Sequence, residues 1–229
     1  MTTALSKLTI AAIIAGSTLI SGTAEAATKQ ETKVTTQYKT LKAGMTIEQA
    51  AKILYGKDYK KQLTKKNGST VLKQKPDTTS STQGQKTTIY SFYDKKEVLP
   101  FDVTTLMFMT KKKSSVYRLT SKSLDLFRDS STGARESKMK LVKGEKIKTG
   151  MTEKQLDGVL SGKGLGEWTG LDSIDMTSIQ TKQEIDLGLA IKLESKTYVF
   201  PTATKQKKFV MLNYDTKKKT YVVSSQMSF

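Results

Sequence analysis

The chain of 229 residues contains no cysteine and no histidine. Without cysteine there is no disulfide scaffold, no thiolate metal site, no cysteine nucleophile and no lipid attached through a cysteine. Without histidine there is no Ser-His-Asp triad, and the commonest metal ligand and general base are missing. Arginine, the residue suited to bidentate phosphate or base contacts, occurs only at Arg118, Arg128 and Arg135. Long apolar runs are missing too. The best one, residues 8–20, is interrupted by Ser and Gly and is too short to span a bilayer, and no later segment qualifies. Against these absences stand a formal net charge of +18, mostly from lysine, and a hydrophobic share of 36%, enough for a packed core in a chain this long.

Residues 1–26 read as a secretory signal peptide. Lys7 supplies the positive start, the apolar stretch follows, and Ala24-Glu25-Ala26 offers small residues at the −3 and −1 positions of a cleavage site. Its removal takes away one Lys and one Glu and leaves the charge at +18. Outside the cell, such a charge meets wall polymers, anionic lipids and acidic proteins, so nucleic acid is not an expected partner.

The most informative pattern is internal. Residues 41–57 (LKAGMTIEQAAKILYGK) and 147–163 (IKTGMTEKQLDGVLSGK) match at an offset of 106, through Gly44/Gly150, Met45/Met151, Thr46/Thr152, Gln49/Gln155, Leu54/Leu160 and Gly56/Gly162. Met109-Thr110-Lys111-Lys112-Lys113 and Asp215-Thr216-Lys217-Lys218-Lys219 align at the same offset. In each copy the Gly suits a turn, the Thr and the Gln three residues on form a capping box, and apolar residues then recur at helical spacing for about ten residues.

Beyond each helix the period becomes alternating. Strands are expected over 87–93, 103–110 and 115–121, then over 196–200, 208–214 and 220–225, with weaker ones at 70–73 and 185–193. The Lys-rich joints 111–113 and 217–219 read as hairpin turns. Residues 75–86 read as a loose loop. The expected organisation is a signal peptide over 1–26, a disordered arm over 27–37, a first repeat over 38–128, a linker over 129–143 and a second repeat over 144–229. The fold class is α+β: two tandem repeats, each a short helix-loop-helix segment packed on an antiparallel sheet of about four strands.

The paired G-M-T motifs, each leading into a helix that ends in an apolar pair and Gly, resemble the β-lactamase inhibitor protein family and the related single modules of small outer-membrane-assembly lipoproteins. The resemblance rests on about 17 residues per copy and on the strand order. It implies two helix-loop-helix units on antiparallel sheets, and Trp168 fits an aromatic habit of that region. Those inhibitors carry a disulfide in each repeat, which this chain lacks, and their inhibitory loops have no residue-level match here, so the inhibited enzyme class does not carry over.

No catalytic set, metal site or cofactor is expected. Asp172, Asp175 and Asp186 make an acidic patch that reads as solvated loop, and Gly162-Lys163-Gly164 lacks the strand and the G-K-[ST] of a phosphate loop. A binding surface is better supported. Alternation places Thr104, Leu106 and Phe108 on one face, with Val210, Leu212 and Tyr214, and this face is expected to meet the helices. The other face carries Val103, Thr105, Met107 and Met109, with Phe209, Met211, Asn213 and Asp215. Met and Phe suit adaptable protein contacts. Either this face docks a partner, or the two sheets pack on each other or on the linker and hide it. The candidate partner-binding residues are therefore Val103, Thr105, Met107, Met109, Phe209, Met211, Asn213 and Trp168.

The sequence thus reads as a secreted, non-enzymatic binding protein that docks an extracellular or envelope protein on a concave sheet surface, as an inhibitor or modulator of an extracellular or cell-wall enzyme. The alternative is a structural envelope protein held to anionic wall polymers by its lysines.

Overall fold

The computed structural model describes residues 29–93, 101–128, 133–204 and 206–229; the signal peptide lies outside them. The strands are β1 (Leu63–Lys66), β2 (Ser69–Leu72), β3 (Thr78–Thr82), β4 (Gln85–Phe92), β5 (Phe101–Thr110), β6 (Tyr117–Phe127), β7 (Gly170–Asp175), β8 (Lys192–Pro201), β9 (Lys207–Asp215) and β10 (Thr220–Ser228). The helices are α1 (Lys29–Thr40), α2 (Ile47–Tyr55), α3 (Glu153–Asp157) and α4 (Lys182–Asp186), with a 3-10 helix over Gly56–Gln62. The architecture is α+β and antiparallel, as expected. The sheet differs: β3 to β10 form one eight-stranded sheet in chain order, and β1–β2 form a separate hairpin. The junction is β6–β7, paired from Ser121↔Ile174 to Asp125↔Gly170. Pairing there satisfies two edges that separate four-stranded sheets would leave open.

One face of the sheet is packed. Leu41, Ile47, Ala50, Tyr90, Leu106, Phe108 and Leu119 form one buried cluster, and Ile147, Leu156, Tyr198, Phe200, Val210, Leu212 and Val223 form another. Between them, Val34 and Tyr38 of α1 pack on Leu124 and Leu126 of β6.

The two G-M-T segments make matching contacts. Thr46 and Thr152 each close a capping box with the Gln three residues on. The Gly44 and Gly150 amides donate to the carbonyls of Leu119 and Val223 at 2.8 Å, and the Leu119 and Val223 amides donate back to Met45 and Met151. Each segment is thereby stitched to a strand. The bulges of those strands are equivalent too: Thr120 donates its hydroxyl to the Met107 carbonyl, and Ser224 donates to Met211. This pairs Met107 with Met211, a spacing of 104 rather than the 106 of the sequence match. The two-residue slip keeps every side chain on its expected face, because strand period is two.

Several expectations are corrected. The arm expected to be disordered over 27–37 is largely helix α1. Val34 and Tyr38 lie one helical turn apart and bury, and Glu31 pairs with Arg128 at 3.4 Å and Arg135 at 2.5 Å. In the expected linker 129–143, residues 133–142 run beside β8 instead. The Ser137 amide donates to Val199 and the Leu141 amide to Pro201, and Ser137 and Leu141 are buried. That alternating pattern gives the second half an extended strip where the first half has α1, so it has no helix-loop-helix.

The loose loop 75–86 holds β3 and the start of β4, joined through a turn in which Gln83 and Gly84 both have positive φ. Helix α3 stops at Asp157: Gly158 weakens it, and Leu160 forms a bridge with Leu141. The weak strand expected over 185–193 is instead the end of α4, a turn and the start of β8.

Candidate docking interface

Cross-strand register fixes what the other face of the sheet displays. Val103, Thr105, Met107 and Met109 lie on it through β5, and Phe209, Met211 and Asn213 through β9, so seven of the candidate residues share one surface. Trp168 does not join them. It packs on the covered side, between two of the buried clusters, with the Arg135 guanidinium 5.2 Å from its ring. Because β6 pairs with β7, the two halves lie side by side rather than stacked, and their uncovered faces are continuous.

Two rows cross the middle of this face. One runs Thr105, Ser123, Asp172, Ser195, Asn213; the next runs Val103, Asp125, Gly170, Thr197, Met211. Asp125 and Asp172 are therefore diagonal neighbours on adjacent strands, flanked by hydroxyls. Gly170 makes the space between Asp125 and Thr197: a Cβ there would sit 3.1 Å from the Asp125 Oδ1 and 3.6 Å from the Thr197 Oγ1. Apolar residues border the rows, with Ile89, Met107, Ile174 and Leu193 on one side and Phe209 and Met227 on the other.

The electrostatics of this centre are unusual for so basic a chain. Among the described residues neither Asp125 nor Asp172 forms an ion pair with a lysine or arginine. Burial raises the Asp125 carboxyl, partly offset by a 3.3 Å hydrogen bond donated by Ser123. Burial, and then the Asp125 charge, push Asp172 up to about 6. Ser195 and Thr197 are only 4% and 5% exposed, and the Asn213 Oδ1 is buried without a partner. The surface thus presents unmet acceptors and partly desolvated negative charge at its centre.

Sequence reasoning missed this pair. Asp125 and Asp172 are brought together only by the β6–β7 register. The sequence groups Asp172 with Asp175 and Asp186, but Asp175, three residues along the same strand, points to the opposite face, and although burial raises its carboxyl, hydrogen bonds from Thr177 and the nearby Lys192 outweigh that and hold it low. Asp186 is exposed on α4. Also missed was the apolar tongue beyond β7, where Ile185, Leu187, Leu189 and Ile191 are exposed, Leu187 by 67%.

The three arginines are all engaged within the fold. Arg118 donates to the Gly44 carbonyl at 3.0 Å, Arg128 bonds Glu31 and Asp102, and Arg135 bonds Glu31 and the Trp168 carbonyl. Among the described residues no helix is long and apolar enough to cross a membrane, and no group of three acidic residues could hold a metal ion. No family model, no curated protein and no solved structure matches the chain.

Proposed function

We propose that this chain is an exported, non-enzymatic binding protein, built from two tandem copies of one helix-plus-meander unit akin to the β-lactamase inhibitor proteins. It docks a protein partner, an extracellular or cell-wall enzyme that it blocks or modulates, on the uncovered face of the sheet. The observation that carries this reading is the one-sided sheet: helices and buried clusters lie on one side, and Met107, Met109, Phe209 and Met211 lie on the other around a partly desolvated acidic centre. Flexible Met and Phe supply adaptable contact area, and a basic side chain of the partner meets Asp125 and Asp172. The tandem origin is supported by the matched capping boxes and by the Gly44/Gly150 and Met107/Met211 contacts.

Capture from envelope extract tests the reading. The full chain retains a protein partner in high salt, and Met107→Asp/Met211→Asp loses it while melting like the parent. A partner held equally by that variant contradicts the docking face. The charge of +18 favours a second reading, retention on an anionic wall polymer. That reading predicts release by moderate salt with no protein partner recovered.

A further inference from the structure

A cavity of about 620 Å³ opens between the β1–β2 hairpin and strands β3–β4, on the covered side of the sheet and near its β3 edge. It holds none of the docking residues. Four lysines line it: Lys66 and Lys73 from the hairpin and its exit, Lys75 from the following turn, and Lys86 from β4. Among the described residues no carboxylate lines it, and none of the four lysines forms an ion pair. Ammonium groups concentrated in one concavity without counter-charge attract an anion there.

The interior supplies a second, separate sign. Ser69 and Thr88 line the same cavity and are 3% and 2% exposed, and neither hydroxyl has a hydrogen-bond partner. A buried hydroxyl without a partner carries an unmet desolvation penalty, which a ligand oxygen can relieve. The β3 edge adds Thr79, Ser80 and Ser81 to the wall, all exposed, and Tyr117 gives it a half-buried aromatic side.

We propose that this groove binds a phosphorylated polyol, a glycerol or sugar unit bearing a phosphate. The lysines hold the phosphate as point charges, and the Ser and Thr hydroxyls exchange hydrogen bonds with the polyol. Four ammonium groups exceed what the two oxygens of one carboxylate can engage, whereas a phosphate monoester presents three oxygens that share up to two charges, and in a polymer two successive diester links present two oxygens and one charge each. The volume falls in the range of small-ligand sites. Such a unit can be free or a link in a polyol-phosphate polymer. This site is independent of the docking face, so either can fail alone.

The test is titration of the isotope-labelled full chain, followed by amide NMR, with glycerol 3-phosphate, inorganic phosphate, glycerol and a poly(glycerol phosphate) oligomer. Saturable shifts at Ser69, Lys73, Lys86 and Thr88 are expected with glycerol 3-phosphate, weakening as salt rises, and tighter binding with the oligomer if the polymer is the source. Lys73→Gln/Lys86→Gln weakens binding by about tenfold. Ser69→Ala/Thr88→Ala also weakens it, and because that variant alters buried positions, Thr79→Ala/Ser81→Ala on the exposed edge repeats the test without risk to the core. Absence of saturable shifts, indifference to all three variants, or inorganic phosphate binding as tightly as glycerol 3-phosphate overturns the proposal.

Discussion

The two faces of the eight-stranded sheet obey opposite rules. On the covered face, Phe108, Phe200, Leu106 and Leu212 are completely or almost completely buried, and two lysines at its centre are satisfied: the Lys122 Nζ donates to the Tyr38 and Leu41 carbonyls at 2.6 and 2.8 Å, and the Lys196 Nζ to Glu153 at 3.0 Å. On the uncovered face, two carboxylates sit partly desolvated with no basic partner among the described residues, and the Asn213 oxygen is unmet. The centre of one face is packed and satisfied, while the centre of the other holds groups that the fold alone would do better without. Under the proposed binding role, groups of that kind are provision for a partner that arrives from outside.

Substitutions separate the faces. The largest effect is expected from Phe108→Ala or Phe200→Ala on the covered side, a loss of about 3–5 kcal/mol in denaturant unfolding. Next comes Glu31→Gln, which removes the carboxylate that holds Arg128 and Arg135 beneath α1. It should destabilise by about 3 kcal/mol and expose the α1 amides to hydrogen exchange.

On the uncovered face the sign reverses. Because the folded carboxyl of Asp172 is raised from 3.8 to about 6, the native state is favoured by the retained proton below the lower value, and that advantage is lost as pH rises through the upper one. Asp172→Asn therefore stabilises the chain at about pH 8, by about 1–2 kcal/mol after allowance for solvent screening, and the gain over the parent vanishes below about pH 4. A thermal melt series across pH reads it directly; a variant less stable than the parent at high pH would mean that Asp172 has a stabilising partner. The smallest effect is that of Met211→Asp, within about 0.5 kcal/mol of the parent in stability.

The halves of the chain differ in an instructive way as well. Both G-M-T segments were legible, because a turn glycine, a capping box and an apolar helical period are all local signals, and both appear with the same contacts. So was the split of β5 and β9 into two faces. What surrounds the motifs was not legible. Helix α1 has only Val34 and Tyr38 to bury, and its anchor Glu31 finds its arginines about a hundred residues later. The strip beside β8 reads as a linker because its alternation of Ser137, Met139 and Leu141 spans only three positions. Asn67-Gly68 and Gln83-Gly84, with positive φ throughout, were available signals for the β1–β2 and β3–β4 hairpins. The acidic centre was out of reach for a different reason: it exists only through the β6–β7 register, and no local pattern encodes which strands become neighbours.

The docking face is tested most directly by hydrogen exchange on the complex with the partner captured from envelope extract. Added protection is expected along β5, β7 and β9, around Met107, Asp172 and Met211, and none on α2 or α3. Protection confined to the helical side, with those three strands unchanged, would contradict it.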